Sequence, residues 1–438
     1  MVHSKRRKRE EERRAQMPNT VTVTTTFDPS PGINRPPSQR HHRRHRPGKP
    51  PHTTYSTGPC AFPRIVPGHP ASFPSRSAIR QPARPVTTSD YQLATRRDPI
   101  CVNPIEEPSL NRPTGGARIT SLPEFTKILD VYQSRGYYEV DTARSYGNGT
   151  QEAFTRSAGW KERGLTLATK SLPEGPRGHS AASLPEKVET SLRELGTDCV
   201  DIFYLHTADR SVPFAETLEA VDKLHKAGKF VRFGISNFAA FEVAEIVVTC
   251  EQRGWVRPTI YQGMYNALTR SAEAELFPAL RRYGMAFYAY NPLAAGIFSG
   301  KYMSEADLPE EGRFSNVDSK RGERYRERYF RHGVFEALKI VRSVAEGEGL
   351  TLVEVAIRWL VHHSGLRIVN GGPDAVILGV SSLAQLEQNL DAMEAGPLPE
   401  AVVKALDEAW KNVGPESTDY WIGKLEYDYD TRKALFNI

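Results

Sequence analysis

Residues 137–147 read YYEVDTARSYG. Tyr138 to Asp141 is a short β-rich run after which the chain turns polar, so Asp141 stands at a strand's C-terminal end and Tyr146 in the loop beyond it. Six further runs share this character: Leu165–Lys170 (LTLATK), Val200–His206 (VDIFYLH), Phe230–Ser236 (FVRFGIS), Thr259–Gln262 (TIYQ), Met285–Tyr290 (MAFYAY) and Ala375–Gly379 (AVILG). Helical patterns lie between them. In SLPEKVETSLRELG, Leu184, Val188, Leu192 and Leu195 recur at helical spacing behind a Ser cap, and AEAELFPALRRYG ends on Gly284 as a C-cap. Strands alternating with crossover helices predict an α/β fold with a parallel sheet. Repeated right-handed crossovers build either an open doubly wound sheet or a closed barrel. No GxGxxG turn follows the first strands, so a (β/α)8 TIM barrel is expected.

Charge separates this region from the N-terminus. Residues 1–100 hold 19 Lys+Arg against 6 Asp+Glu, leaving 39 basic and 46 acidic of the chain's 58 and 52 for the rest. Half of the 32 prolines also fall in the first hundred residues, beside the runs KRRKREEERR and RHHRRHRPGKP. Such a segment buries too little apolar surface to offset its ordering entropy, so residues 1–110 are read as a disordered basic tail and 111–438 as the barrel. The basic clusters suit nuclear import or phosphate neutralisation, but aromatic residues are not interleaved with them, which argues against a nucleic-acid partner. Cys60, Cys101, Cys199 and Cys250 are widely spaced with no CxxC or Cys/His cluster, against a disulfide framework or a metal site and for a reducing compartment. No apolar run approaches the roughly 20 residues of a membrane span, and the first 30 residues hold no signal-peptide core. A cytoplasmic protein is expected.

In a barrel the C-terminal strand ends face the active site. Asp141, Lys170, His206, Asn237, Gln262 and Asn291 occupy such positions. Taken singly, each has a bland reading: a solvated lysine, a structural histidine, a loop-capping tyrosine, an aspartate at a helix start. Together they suit carbonyl reduction. Hydride delivery to an aldehyde leaves growing negative charge on oxygen, which calls for a proton donor and a polarising hydrogen bond. Tyr146 can donate if a cation lowers its ordinary value near 10; Lys170 can be that cation, Asp141 its orienting partner and His206 a neutral donor to the carbonyl oxygen.

DTARSYG with LATK, then DIFYLH, GISNF, YQGMYN, YNPLAAGIFSGKY and DAVILGVSSLAQLEQNL resemble, in that order, the motifs of aldo-keto reductases, nearest to the aflatoxin-aldehyde reductase branch. The resemblance runs from about Ala117 to Asn412. It implies an enzyme that uses NADPH to reduce small-molecule aldehydes, dialdehydes or semialdehydes among them, with Tyr146 as general acid, Lys170 and Asp141 behind it and His206 orienting the carbonyl. It further implies that Ser236, Asn237 and Gln262 hold the nicotinamide carboxamide with Tyr290 or a neighbouring aromatic against the ring. Asn291 to Lys301, including Pro292, Leu293, Gly296, Ser299, Gly300 and Lys301, is similar to the family's pyrophosphate loop. Arg313, Gly379, Ser381, Ser382, Gln385, Gln388 and Asn389 match its 2′-phosphate and adenine segments. A homodimer is also implied.

The expected first strand departs from that pattern. Its place reads DPICVNPIEEPSLNRPTGG, with one short apolar piece at Ile100–Val102 between prolines. Either the strand is missing, leaving open sheet edges, or Ile100–Val102 or a tail segment such as Ala61–Val66 closes the barrel. Two other functions stay open at this point: a cofactor-binding scaffold similar to the barrel subunits of potassium channels, and a catalytically impaired paralogue.

Overall fold

β-branched and aromatic residues dominate the seven runs read as strands, and each becomes a strand of one barrel in this computed structural model. The structure describes residues 100–103, 119–310, 313–315 and 319–436. In chain order the elements are β1 (Ile100–Asn103), α1 (Leu122–Ser134), β2 (Glu139–Asp141), α2 (Gln151–Ser157), β3 (Thr166–Ser171), α3 (Ser183–Leu195) and β4 (Val200–Leu205). Then follow α4 (Phe214–Lys226), β5 (Phe230–Ser236), α5 (Ala240–Arg253), β6 (Ile260–Met264), α6 (Leu276–Tyr283) and β7 (Ala286–Tyr290). The chain ends with α7 (Ser319–Tyr329), α8 (His332–Gly347), α9 (Leu352–His362), β8 (Ala375–Gly379), α10 (Leu383–Glu394), α11 (Glu400–Val413) and α12 (Thr431–Phe436). All neighbouring strands pair in parallel, and β8 returns to β1, so the barrel is closed.

β1 settles the question left by the N-terminal departure. It pairs with β8 along its whole length, Ile100 opposite Val376 through Asn103 opposite Gly379, and with β2 at Cys101–Glu139 and Val102–Val140. Of the alternatives left open, it is the apolar piece at Ile100–Val102 that closes the sheet. The strand lies ahead of the boundary drawn at residue 111, so the barrel reaches back to Ile100. The remainder of the tail, including Ala61–Val66, lies outside the described residues.

Alternation along each strand sorts the core into two layers. Ile202, Tyr204, Ile260, Tyr288, Ala375 and Ile377 belong to the cluster that fills the barrel, whereas Phe203, Leu205, Phe287, Val376 and Leu378 pack outward in the larger layer under the helices. Leu184, Val188, Leu192 and Leu195 of α3 are buried in that outer layer, as their spacing predicts, and Gly196 and Gly284 end α3 and α6 in the left-handed region. Ser183 is the first residue of α3 rather than its cap; its N–H is accepted by Ser180 Oγ. Gln262 lies inside β6, which runs two residues beyond the expected end. No described helix is long and apolar enough to cross a membrane.

Tyr204 and Gly234 face one another across β4 and β5. A Cβ on Gly234 would collide with the Tyr204 ring. Gly234→Ala is expected to lower stability by about 1–3 kcal/mol, the range for overpacking a filled interior, as read from the shift of the urea midpoint.

Candidate active site

Lys170, next to last in β3, points into the barrel mouth with no exposed surface. Its ammonium donates to Asp141 Oδ2 at 2.5 Å and to the Thr142 carbonyl at 2.8 Å, and lies 4.8 Å from the centroid of the Tyr146 ring. A buried ammonium needs both a counter-charge and acceptors for its protons, and the end of β2 supplies them. The other carboxylate oxygen of Asp141 accepts from Gln262 Nε2 at 3.0 Å, so three strands converge on one carboxylate.

Tyr146 opens a 3-10 turn, Tyr146–Gly149, in which Gly147 and Asn148 take left-handed conformations. Its half-buried ring meets the His206 imidazole edge-on at 5.5 Å. His206 follows β4 directly; its N–H is bound by the Ser171 carbonyl at 2.9 Å, and Ser145 Oγ lies 3.5 Å from Nδ1. Withdrawal from water, then the Lys170 charge and then His179 push the His206 ring down to about 3, so it is neutral near pH 7.

The neighbouring polar residues are tied together. Asn237, at φ 64°, donates from Nδ2 to the His206 carbonyl (2.9 Å) and to Ser236 Oγ (2.8 Å), while its Oδ1 accepts from the Tyr290 hydroxyl at 2.7 Å. Left-handed backbone is least costly for Asn among non-glycine residues. Burial pushes the Tyr290 hydroxyl up, against the pull of the Arg328 guanidinium on α7.

Beyond β7 the chain runs through Asn291, Pro292 and Leu293 into a 3-10 turn, Ala294–Ser299. Asn291, Ala294, Ala295, Gly296 and Gly300 all have positive φ, and within the turn the N–H groups of Ala294, Gly296 and Gly300 are bound by the carbonyls of Asn291, Leu293 and Ile297. Ser299 and Lys301 are exposed at its end, where the Lys301 N–H meets Ser299 Oγ. Arg313 is exposed, its Nη2 3.2 Å from where a Cβ on Gly379 would sit, and so lies against the end of β8. Ser382 caps α10 by accepting from the Gln385 N–H, and Ser381 donates to Gln385 Oε1 from both its N–H and its hydroxyl. Gln388 is exposed and Asn389 buried on the same helix. Among the described residues no three His, Cys, Asp or Glu side chains gather to hold a metal.

The Aldo/keto reductase family model matches residues 111–411, more than half of the chain. The chain belongs to the aldo/keto reductase family. An aldo-keto reductase of Pseudocercospora fijiensis is 45% identical over 298 residues, covering 67% of this chain and 100% of the relative. Aflatoxin B1 aldehyde reductase member 2 of Homo sapiens is 43% identical over 68% of this chain and 85% of its own length, and the Mus musculus protein of that name 41% identical over 79% and 97%. As a family member the chain is an oxidoreductase.

This aldo/keto reductase also uses groups that the sequence reading left out. Thr142 meets the Lys170 ammonium through its carbonyl, an atom that every residue shares, while its hydroxyl donates to the Ala168 carbonyl. More extensive is the C-terminal strap, residues 418–430, whose contacts could not be placed from sequence. Arg210 forms a buried bidentate pair with Glu242 at 2.8 and 2.9 Å and holds the Ile422 carbonyl with its third nitrogen. Tyr427 donates to Glu242, the Asp428 N–H to the Arg210 carbonyl, and the Ile422 N–H to the carbonyl of Asn237. The strap is thus pinned to the loops after β4 and β5, beside the candidate site.

Removing one partner of a buried ion pair strands the other. Arg210→Ala is expected to lower stability by about 3–5 kcal/mol in urea unfolding and to open the strap to proteolysis. A second expectation concerns pH. The unfolded chain protonates His206 near its ordinary value of about 6.5, the folded chain only near 3. Stability from this group is therefore full above 6.5 and lost as pH falls toward 3. Urea unfolding at pH 7 and pH 5 should show wild type losing more over that interval than His206→Gln, which has no ring to protonate.

Proposed function

We propose that this chain reduces aldehydes with NADPH, Tyr146 serving as proton donor. The supporting observation is the buried Lys170 ammonium, neutralised by Asp141 and directed at the Tyr146 ring. When Tyr146 gives up its proton, the adjacent cation stabilises the negative charge left behind, and the low-dielectric surroundings strengthen that attraction. His206, neutral at working pH, donates a hydrogen bond to the carbonyl oxygen on which charge develops. Bound NADPH supplies the hydride. The chain's part is to hold the cofactor, orient the aldehyde and deliver the proton.

The donor set suits a dinucleotide phosphate. The positive-φ loop Asn291–Lys301 would run beside the pyrophosphate, with the exposed Lys301 supplying the positive charge. Arg313 and the N-terminal end of α10, with Ser381, Ser382, Gln385, Gln388 and Asn389, would take the 2′-phosphate and adenine. Ser236, Asn237 and Gln262 would meet the carboxamide, with Tyr290 beside the ring. The closed barrel removes the reason for expecting an impaired site. Relatives named aflatoxin B1 aldehyde reductase favour reactive aldehydes, dialdehydes and semialdehydes among them, as the substrate class.

Purified chain mixed with NADPH and a panel of small aldehydes should oxidise the cofactor, followed by its absorbance. Tyr146→Phe, which keeps the ring and removes the proton, should lose on the order of 10²–10⁴ in kcat while still binding NADPH. Cofactor binding without turnover in wild type would refute the reading.

A further inference from the structure

Two N–H groups converge on one oxygen behind the candidate site. The Ser171 carbonyl, immediately after Lys170 in β3, accepts the main-chain N–H of His206 at 2.9 Å and lies 3.0 Å from His179 Nε2. A carbonyl oxygen only accepts, so His179 carries its ring proton on Nε2 and donates it there. The histidine is itself held on both sides of its backbone: its N–H goes to Asp209 Oδ2 at 2.9 Å and its carbonyl accepts from Thr217 Oγ1 at 3.0 Å. It is 1% exposed, and the small cavity beside it is lined by Leu205, Phe214, Leu218, Phe238 and Ile246 together with Asp209 and Thr217, the two residues that bind its backbone.

We propose that His179 is a positioning residue for carbonyl reduction: its Nε2–H clamps the Ser171 carbonyl, which in turn holds the backbone of His206 and sets where that imidazole meets the substrate oxygen. This rests on the reductase reading above. An apolar side chain of similar size would fill the space as well, among leucines and phenylalanines; what only a polar ring adds is the bond to the oxygen that anchors His206. Because the oxygen belongs to the residue after Lys170, the same clamp keeps the ends of β3 and β4 in mutual register, and with them the spacing of Lys170 and His206. Burial pushes the His179 ring down to about 4, so it stays a neutral donor at working pH.

The test is single-turnover reduction: enzyme pre-loaded with NADPH is mixed with saturating aldehyde, and rate constant and amplitude are read separately. His179→Leu should slow the rate constant about tenfold at retained amplitude, since hydride transfer tolerates little displacement of the groups around it. His179→Gln, whose amide can still donate, should recover to within about threefold of wild type. An unchanged rate constant in His179→Leu, or a loss of amplitude alone that reports fewer folded molecules, would overturn the proposal, as would a glutamine variant as slow as the leucine one. A wild type that turns over no aldehyde would instead bring down the reductase reading, and this role with it; a wild type that turns over while both variants match it removes this role only.

Discussion

An ammonium group with no exposed surface has to be neutralised where it stands, and Lys170 is such a group. Asp141, one strand away, is its carboxylate partner, and that carboxylate is braced by Gln262 from the far side of the barrel. The requirement fixes much else. β2 has to end at Asp141, β3 has to carry Lys170 inward, and the chain after β2 has to turn at once so that the Thr142 carbonyl faces the ammonium. The same turn swings Tyr146 over the cation.

Around this pair the site is built mostly from backbone at strand ends. Carbonyls of Thr142, Ser171 and His206 accept from Lys170, His206, His179 and Asn237 in a continuous path across β2, β3, β4 and β5. Closure of the barrel makes such a path possible, because strand ends that would splay in an open sheet meet around one mouth. The C-terminal strap extends the path outward through Asn237 and Arg210, bonding to the carbonyl of each and to the Arg210 guanidinium.

Seven of the eight strands were legible from runs of β-branched and aromatic residues, because their burial on both faces demands such composition. The eighth was not. Ile100–Asn103 is too short to show a period, and it becomes a strand because β8 and β2 each present an unpaired edge to it, at a distance of more than two hundred residues in the case of β8. Gln262 illustrates the opposite case: its identity was legible, yet its donation to Asp141 arises only once β2 and β6 face each other across the barrel.

Asp141, Tyr146, Lys170 and His206 could be picked out from sequence because their side chains carry the chemistry and sit at strand ends that local pattern reveals. His179, the Thr142 carbonyl and the Arg210–Glu242 clamp could not, since they act through hydrogen bonds whose partners lie far along the chain and, for a carbonyl, through atoms that every residue shares. The sequence by itself determined the fold class and the candidate reacting groups, which depend on local periodicity and side-chain identity. Barrel closure, the wiring of the site and the docking of the strap were decided only by the tertiary structure, because each pairs groups that only folding brings within hydrogen-bond distance.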